Sequence, residues 1–269
     1  MGTIETRNGP IGVLEAAPDP DRSSETGLIP LLLLHGVGSD KTVWAPQIFH
    51  FGTERRTVAL DYPGYGESAL VANATRDDFA AAVLAAMDAL EIPRAHVCGL
   101  SLGGVVAIAL HHLAPERCAS LILADSFACH PEGAEIHARS LAGMRDLGMR
   151  GLAEGRVDAL LGPEATADIR SVVVETMAAI DPAAYEIGAA AVWLADQRVR
   201  IRKVRCPVLI LCGSADRITP PALSDDLKDR IPHAALVEIA GAGHISNLEA
   251  PVVFNRVVEA FLSDTEQNP

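Results

Sequence analysis

Ser101 lies in a short stretch, residues 99–103 (Gly-Leu-Ser-Leu-Gly), whose residue types could supply a nucleophile. An apolar run at 95–98 precedes it, and small and apolar residues continue through 104–113. This pattern predicts a strand, a sharp turn and a helix, which is the setting of a nucleophile elbow. Glycines on both sides of the serine allow the strand and the helix to approach closely, and the turn directs the hydroxyl outward. The sequence therefore predicts nucleophilic chemistry at Ser101.

A serine hydroxyl needs a base whose pKa is close to neutral pH, and histidine is the usual choice. Among the nine histidines, His244 is favoured because it follows the last predicted strand in the glycine-rich segment 241–244. Ligand sites of open α/β sheets lie beyond the carboxyl ends of the strands. His111 and His112 fall in a predicted helix and His96 in a predicted strand, so packing roles are expected for these three.

An acid must hold the histidine in the correct tautomer and stabilise its charged form. Asp216 follows the apolar segment 208–213, and Asp125 follows the apolar run 121–124. Both are therefore expected at the same edge of the sheet. We favour Asp216 because it gives the chain order serine, aspartate, histidine that accompanies a nucleophile elbow, and Asp125 remains the alternative.

A glycine-containing turn, residues 35–38 (His-Gly-Val-Gly), follows the apolar run 31–34. Backbone N–H groups of such a turn can point into a site and bind the oxyanion of a tetrahedral intermediate. The expected donors are the amides of Val37 and Leu102. Since these donors belong to the main chain, His35 is expected to organise the turn and not to act as a base.

The composition excludes several classes of function. A net charge of −13 over 269 residues disfavours binding to nucleic acid or to anionic membranes. The five cysteines are odd in number and contain no C-x-x-C pair, which favours reduced, buried thiols over a disulfide framework. Histidines and cysteines lack zinc-ligand spacing, so neither a metal nor another cofactor is expected.

The chain shows no targeting or spanning segment in its sequence pattern. The polar residues 1–8 do not resemble a signal peptide, and the apolar runs are much shorter than the roughly 20 residues that span a bilayer. A cytoplasmic protein with a small-molecule substrate is expected. A homodimer is left open, because the sequence does not specify the oligomeric state.

Short apolar runs that alternate with helical patterns predict a doubly wound, mostly parallel α/β sheet of about eight strands. The runs lie at 31–34, 58–60, 95–98, 121–124, 208–212 and 237–239. A turn at Asn8-Gly9 between two extended segments predicts an antiparallel hairpin at the start of the chain. Residues 264–269 are expected to form a frayed tail.

The alternation of strands and helices breaks between residues 127 and 203. This stretch is rich in Ala, Gly and Met and has helical periodicity, and it is too long for a loop. The sequence predicts a helical insertion, here called the cap segment (127–203), in a core formed by 1–126 and 204–269.

Taken together, these motifs resemble the α/β-hydrolase superfamily over nearly the whole chain. The motifs that occur in the order typical of that family are at 35–38, 61–68, 99–103, 213–216, 243–244 and 249–251. The resemblance implies the α/β-hydrolase fold, with 127–203 as the cap domain of the family. It also implies that residues 61–68 (Asp-Tyr-Pro-Gly-Tyr-Gly-Glu-Ser) form a tight loop of the scaffold.

A second resemblance is to 3-oxoadipate enol-lactonases and small carboxylesterases, on the segments 98–104 and 216–221, the chain length and the short cap. It implies a serine hydrolase that cleaves a small carboxylic ester or lactone through an acyl-enzyme. An enol-lactone of this type is anionic and needs a cation in the pocket, for which the candidates are Arg139, Arg145 and Arg150. The residues expected to form an apolar pocket wall are Trp44, Met144, Tyr185 and Trp193.

Two other functions stay open at this point. The same serine and histidine could cleave a carbon–carbon bond in a ring-fission product. A receptor or scaffold could also retain a complete set of Ser, Asp and His on this fold. The intact set favours the hydrolase.

Overall fold

Eight strands form the central sheet in the computed structural model, which describes residues 2–18 and 27–267. The strands are β1 (Gly2–Thr6), β2 (Gly9–Ala16), β3 (Leu31–Leu34), β4 (Thr57–Leu60), β5 (Ala95–Leu100), β6 (Cys118–Ala124), β7 (Val208–Gly213) and β8 (Ala235–Ile239). Their order across the sheet is β1-β2-β4-β3-β5-β6-β7-β8. The hairpin β1–β2 is antiparallel and joins β4 in the antiparallel sense, whereas all later pairs are parallel. The predicted doubly wound, mostly parallel sheet is confirmed.

Helices cover the sheet and fill the cap segment. They are α1 (Ala45–Phe51), α2 (Arg76–Ala89), α3 (Leu102–Leu113), α4 (Gly133–Leu160), α5 (Ala167–Ala178), α6 (Pro182–Trp193), α7 (Arg198–Ile201), α8 (Pro221–Arg230), α9 (Ser246–Glu249) and α10 (Pro251–Gln267). A capping box between Thr75 and Asp78 starts α2, as the sequence pattern predicts. Helix α4 is kinked at Gly148, whose φ of 68° is readily adopted only by glycine. Among the described residues, no helix is both long enough and apolar enough to cross a membrane.

The four leucines of β3 show why the strands are continuous apolar runs. Leu32 and Leu34 pack in the apolar cluster that includes α2 and α3. Leu31 and Leu33 pack in a second cluster on the opposite face, which includes α1 and α10. Because both faces of the sheet are covered, alternate side chains of each central strand are buried on opposite sides.

The cap segment, every residue of which is described, contains α4 to α7 and contributes no strand to the sheet. An isolated bridge between Cys129 and Asp196 closes its two ends. The Gln197 side-chain amide donates to the Val105 carbonyl oxygen at 2.9 Å, which ties the segment to α3. The division of the chain into a core and a separate cap domain stays a prediction.

The expected frayed tail is wrong for residues 264–267, because α10 continues to Gln267. Glu266 accepts hydrogen bonds from Arg55 Nη1 and Nη2 at 2.8 and 3.1 Å. Its Oε1 also lies 3.3 Å from His96 Nε2. This partly buried ion pair anchors the last turn of α10 to the amino-terminal edge of the sheet. Residues 268 and 269 lie outside the described residues.

The carboxyl edge of the sheet gathers the candidate site residues. Strand β3 leads toward α1 on one face of the sheet, and β5 leads into α3 on the other. Since the two strands are neighbours, their diverging connections open a crevice, which is where open α/β sheets bind ligands. The strands β5, β6 and β7 run directly into Ser101, Asp125 and the loop that carries Asp216.

Candidate active site

Ser101 occupies a strained turn between β5 and α3. Its φ and ψ of 55° and −112° are rarely adopted by a non-glycine residue and persist only where the surroundings enforce them. A side chain at Gly99 would collide with the Gly103 backbone, and one at Gly103 would collide with the Leu34 carbonyl oxygen. Both glycines are therefore required by the close approach of strand and helix, as the sequence pattern predicts.

A chain of hydrogen bonds joins three buried side chains at this turn. His244 Nε2 lies 2.9 Å from Ser101 Oγ, and His244 Nδ1 lies 2.9 Å from Asp216 Oδ2. Since the carboxylate can only accept, Nδ1 carries the proton and Nε2 is free to accept from the serine hydroxyl. The structure thus brings together Ser101, His244 and Asp216.

Asp216 is held by further donors from its own loop. Oδ1 accepts from the amides of Ile218 and Thr219 at 2.7 and 2.9 Å. Oδ2 accepts from the Thr219 hydroxyl at 2.6 Å. This hydroxyl is a feature that the sequence analysis did not single out, although Thr219 lies in the segment 216–221. The donors orient the carboxylate toward the histidine.

The two charges shift each other's pKa in opposite directions. Burial raises the pKa of Asp216, but the charge and hydrogen bond of His244, together with the hydrogen bonds from Thr219, outweigh burial, so that the pKa is lowered. Burial lowers the pKa of His244, but the charge and hydrogen bond of Asp216, together with the charge of Asp125, outweigh burial, so that the pKa is raised. The aspartate therefore remains ionised where the histidine titrates.

Glu249 holds the loop that carries His244. Its carboxylate accepts from the amides of Gly243 at 3.0 Å and of Gly162 at 2.6 Å. The amide of His244 donates to the Leu160 carbonyl oxygen at 2.8 Å. These contacts join the loop that carries His244 to the end of α4 and the loop that follows it.

Asp125, the alternative acid, makes different contacts. Its Oδ1 accepts from the Gly213 amide at 2.8 Å and its Oδ2 from the Ser246 hydroxyl at 2.5 Å. Within the described part of the chain it makes no hydrogen bond to His244. Burial, followed by the nearby charge of Asp216, raises the pKa of Asp125 to about 7. Asp125 thus joins the end of β7 to α9, and the contact with the histidine belongs to Asp216.

Two backbone amides beside Ser101 are available to a ligand. The Leu102 amide is the first of α3, where helix geometry provides no partner. Neither it nor the Val37 amide donates to a protein acceptor in the described ranges 2–18 and 27–267. A Cβ built on Gly36 would lie 3.5 Å from Ser101 Cβ, so the turn at 35–38 lies directly against the serine.

His35 organises this turn. Its Nδ1 donates to the Gly36 carbonyl oxygen at 2.8 Å, and its Nε2 accepts from the Tyr62 amide at 3.4 Å. The ring packs between Tyr62 and Tyr65, with centroids 4.4 and 5.0 Å away. Burial lowers the pKa of His35, which favours the neutral form that these contacts need.

Comparison with known proteins defines the family. Residues 31–257 match the alpha/beta hydrolase family. The chain belongs to this family. The alpha/beta hydrolase described here is 30% identical over 238 residues to 3-oxoadipate enol-lactonase 2 of Acinetobacter baylyi, covering 86% of this chain and 88% of the relative.

Solved structures agree with this relationship. The enol-lactonase from Burkholderia xenovorans LB400 has a TM-score of 0.86 at 25% identity, covering 97% of this chain and 99% of that one. A thermophilic esterase from Thermogutta terrifontis has a TM-score of 0.87 at 25% identity, covering 98% of each chain. The predicted resemblance to α/β-hydrolases, and within them to enol-lactonases and small esterases, is confirmed.

A narrow cavity of about 40 Å³ lies at Ser101 in this alpha/beta hydrolase. The side chains that form its walls include Val37, Leu160, Met177, Tyr185, Trp193 and Ile218. Two of the four residues expected as pocket walls, Tyr185 and Trp193, line this cavity, and their contact with a substrate stays a prediction. Leu160 and Met177 come from α4 and α5, so the cap segment supplies much of the apolar lining.

The structure places Trp44 and Met144, the other two residues expected as pocket walls, outside this cavity. Trp44 is fully buried in the apolar cluster that includes α1 and α10, with its ring centroid 6.0 Å from that of Phe254. It precedes α1, whose apolar face packs against α10. Met144 lies in α4 but packs into the apolar core, outside the cavity wall. Composition suggests that these residues are apolar and buried, but the direction of each side chain follows from tertiary packing.

The three arginines predicted as the pocket cation lie elsewhere, and a fourth lines the cavity. Arg145 and Arg150 are exposed and pair with Glu186 and Glu175, and Arg139 lines an adjoining groove. Arg156, which the sequence analysis did not select, lines the narrow cavity itself. A signal for it exists, because Arg156 interrupts the buried face of α4 formed by Met149, Leu152, Ala153, Val157 and Leu160.

Across residues 2–18 and 27–267, the structure contains no group of three or more His, Cys, Asp or Glu side chains that could hold a metal ion. All five cysteines are free.

Proposed function

We propose that this alpha/beta hydrolase cleaves a small carboxylic ester or lactone through an acyl-enzyme on Ser101. The observation that supports it most strongly is the continuous hydrogen-bonded chain from Ser101 through His244 to Asp216, at the base of an apolar cavity. The names of the related enol-lactonase and esterase are consistent with ester chemistry.

In the first half-reaction, His244 Nε2 accepts the proton of the serine hydroxyl while Ser101 Oγ attacks the carbonyl carbon. The carbonyl oxygen becomes an oxyanion and receives hydrogen bonds from the Val37 and Leu102 amides. Asp216 stabilises the charged imidazole without taking its proton. The intermediate then breaks the bond to the leaving oxygen, which takes the proton from His244, and the acyl group stays on Ser101.

In the second half-reaction, water replaces the leaving group. His244 accepts a proton from this water as the water oxygen attacks the acyl carbon. The second tetrahedral intermediate collapses, the proton returns to Ser101 Oγ and the carboxylic acid leaves. For a lactone the leaving oxygen remains attached to the acyl chain, so the product is a single hydroxy acid, or its keto tautomer from an enol-lactone.

The size of the cavity limits the group next to Ser101. About 40 Å³ of space, with walls from Leu160, Met177 and Trp193, accommodates a compact and apolar part of the substrate. We therefore expect p-nitrophenyl acetate and butyrate to be better substrates than the octanoate.

A hydrolysis panel tests the proposal. It contains p-nitrophenyl esters of increasing acyl length, lactones, enol-lactones and vinylogous diketones, with the Ser101→Ala protein as the blank. We expect turnover of short esters or lactones. Folded wild-type protein that hydrolyses no ester or lactone would overturn the proposal, and turnover restricted to the diketones would indicate carbon–carbon bond cleavage instead.

The pH dependence of kcat/KM should follow the protonation of His244. Only the neutral imidazole can accept the serine proton, so activity should be low at acid pH and rise as the pH increases through the histidine pKa. Because Asp216 raises the pKa of His244, the midpoint should lie above the ordinary histidine value of about 6.5. Stopped-flow hydrolysis between about pH 5 and 9 measures this midpoint, and a flat profile would contradict the role of His244.

A further inference from the structure

A second small cavity adjoins the narrow cavity at Ser101. This space, here called the α5 cavity, has a volume of about 10 Å³, and its walls include Val173 of α5 and Leu248 of α9. It shares Gly38, Ser39 and Ile245 with the narrow cavity. The two cavities therefore lie side by side, along the turn that follows β3 and the loop that carries His244.

Met177 separates the two cavities. It lies one helical turn after Val173, and both side chains are buried on the same face of α5. Met177 lines the narrow cavity, whereas Val173 lines the α5 cavity. A Cβ built on Gly38 would lie 3.4 Å from Met177 Sδ and 3.7 Å from its Cγ. The methionine side chain therefore reaches the residue at which the two cavities meet, and it closes the narrow cavity on this side.

A much wider space adjoins the narrow cavity at different residues. This outer groove has a volume of about 620 Å³ and shares Arg156 and Ile218 with the narrow cavity. Neither of these residues lines the α5 cavity. The narrow cavity therefore leads into a wide space at Arg156 and Ile218, and it ends at Met177.

The order of the two half-reactions assigns the parts of an ester to these two ends. In the proposed mechanism, the leaving group departs and a water molecule enters while the acyl group remains bonded to Ser101. The end that leads into the outer groove suits the leaving group and the water, because both exchange with solvent at that stage. The closed end suits the acyl group, which stays in place until the second half-reaction is complete.

We propose that Met177 is a specificity-determining residue that limits the length of the acyl group. This inference rests on the proposed function and narrows its substrate class to esters with a short acyl chain, whose end contacts the methionine side chain. The size of the alcohol is not limited by Met177, since the alcohol lies toward the outer groove. Without the methionine thioether, the narrow cavity and the α5 cavity join into one channel, and a longer acyl chain fills the space of the side-chain atoms removed.

Met177→Ala tests this proposal through the dependence of kcat/KM on acyl length. The substrates are p-nitrophenyl acetate, butyrate, hexanoate and octanoate, which share one leaving group. A single methylene that gains a place in an apolar pocket changes kcat/KM by about 10- to 200-fold. We therefore expect the octanoate-to-butyrate ratio of kcat/KM to rise by at least about tenfold in the Met177→Ala protein, with the value for the acetate close to that of the wild type.

Met144→Ala is the matched control, because Met144 is also a buried methionine of the cap segment but packs outside the narrow cavity. It should leave the dependence on acyl length unchanged. A second series of methyl, butyl and hexyl acetates differs only in the alcohol, and its ratios should be the same in the wild-type and Met177→Ala proteins.

Three outcomes would overturn the proposal. They are an unchanged octanoate-to-butyrate ratio in a folded Met177→Ala protein, an equal rise in the Met144→Ala protein, and a change confined to the alcohol series. If thermal melts show that the Met177→Ala protein is unfolded, Met177→Val decides, because valine also lacks the thioether and should raise the same ratio.

Binding of amides to the Ser101→Ala protein separates this proposal from the proposed function, since it needs no turnover. Isothermal titration calorimetry compares butanamide with hexanamide, with and without the additional Met177→Ala substitution. Hexanamide should bind more tightly than butanamide only when Met177 is replaced, and failure to do so would contradict the role of Met177. If the wild-type protein hydrolyses no ester, the proposed function fails, while the amides still test Met177. If it hydrolyses short esters but the Met177→Ala protein keeps the same acyl-length dependence, only the proposal on Met177 fails.

Discussion

Ser101→Ala is expected to reduce kcat for p-nitrophenyl butyrate by at least about 10³-fold. The substitution removes the oxygen atom that forms the acyl-enzyme in the proposed mechanism, and it leaves the cavity and the two free amides in place. Residual turnover above that of buffer would come from these amides and from substrate binding alone. Initial rates from p-nitrophenolate absorbance measure the change.

Ser120→Ala is the matched control for this substitution. Ser120 is also buried, but it lies near the amino-terminal end of β6, where its hydroxyl is 2.7 Å from His96 Nδ1. We expect its loss to leave kcat close to that of the wild type. If the Ser101→Ala protein keeps more than about a tenth of the wild-type kcat, acyl-enzyme chemistry at Ser101 is excluded. Loss of the nucleophile from a cooperating set of catalytic groups removes nearly all of their rate enhancement.

Asp216→Asn is expected to reduce kcat by about 10⁴-fold while the protein remains folded. An amide in place of the carboxylate can donate to His244 Nδ1 and so favours the wrong tautomer, in which Nε2 carries the proton and cannot accept from Ser101. It also removes the charge that stabilises the imidazolium during the reaction. Kinetics of the ester and a thermal melt are measured on the same preparation.

Asp125→Asn distinguishes the two candidate acids. Asp125 contacts Gly213 and Ser246 and not His244, and burial raises its pKa. The asparagine oxygen can still accept from the Gly213 amide. We therefore expect a loss of less than about tenfold in kcat, in line with a positioning role through α9. A larger loss than that of Asp216→Asn would reverse the assignment.

The sheet was predictable because strands that are covered on both faces must be almost wholly apolar. The four leucines of β3 and the run that forms β7 satisfy this condition, and each has a helix-forming segment after it. The candidate site was predictable for a related reason. Ser101 follows β5 directly and Asp216 lies in the loop that begins after β7, and the ends of parallel strands meet at one edge of the sheet.

The cavity lining was only partly predictable, because it depends on the direction of individual side chains in helices of the cap segment. Trp44 and Met144 are large and mainly apolar, as Tyr185 and Trp193 are. Only the packing of the folded chain determines which pair faces the cavity. Arg156, by contrast, could have been found from the sequence. The helical periodicity of α4 places this charged residue among the buried apolar residues of the helix. The last turn of α10 is held by the contact of Glu266 with Arg55. These residues are 211 positions apart in the sequence, so a local sequence pattern cannot reveal the contact.

Covalent labelling of the wild-type protein is the most direct test of the central claim that Ser101 is a nucleophile. A p-nitrophenyl alkylphosphonate transfers its phosphonyl group to an activated serine with release of p-nitrophenolate. Intact-protein mass spectrometry should show one adduct, and peptide mapping should place it on Ser101, with none on the Ser101→Ala protein. Folded wild-type protein that stays unlabelled, or that is labelled at another residue, would contradict the account.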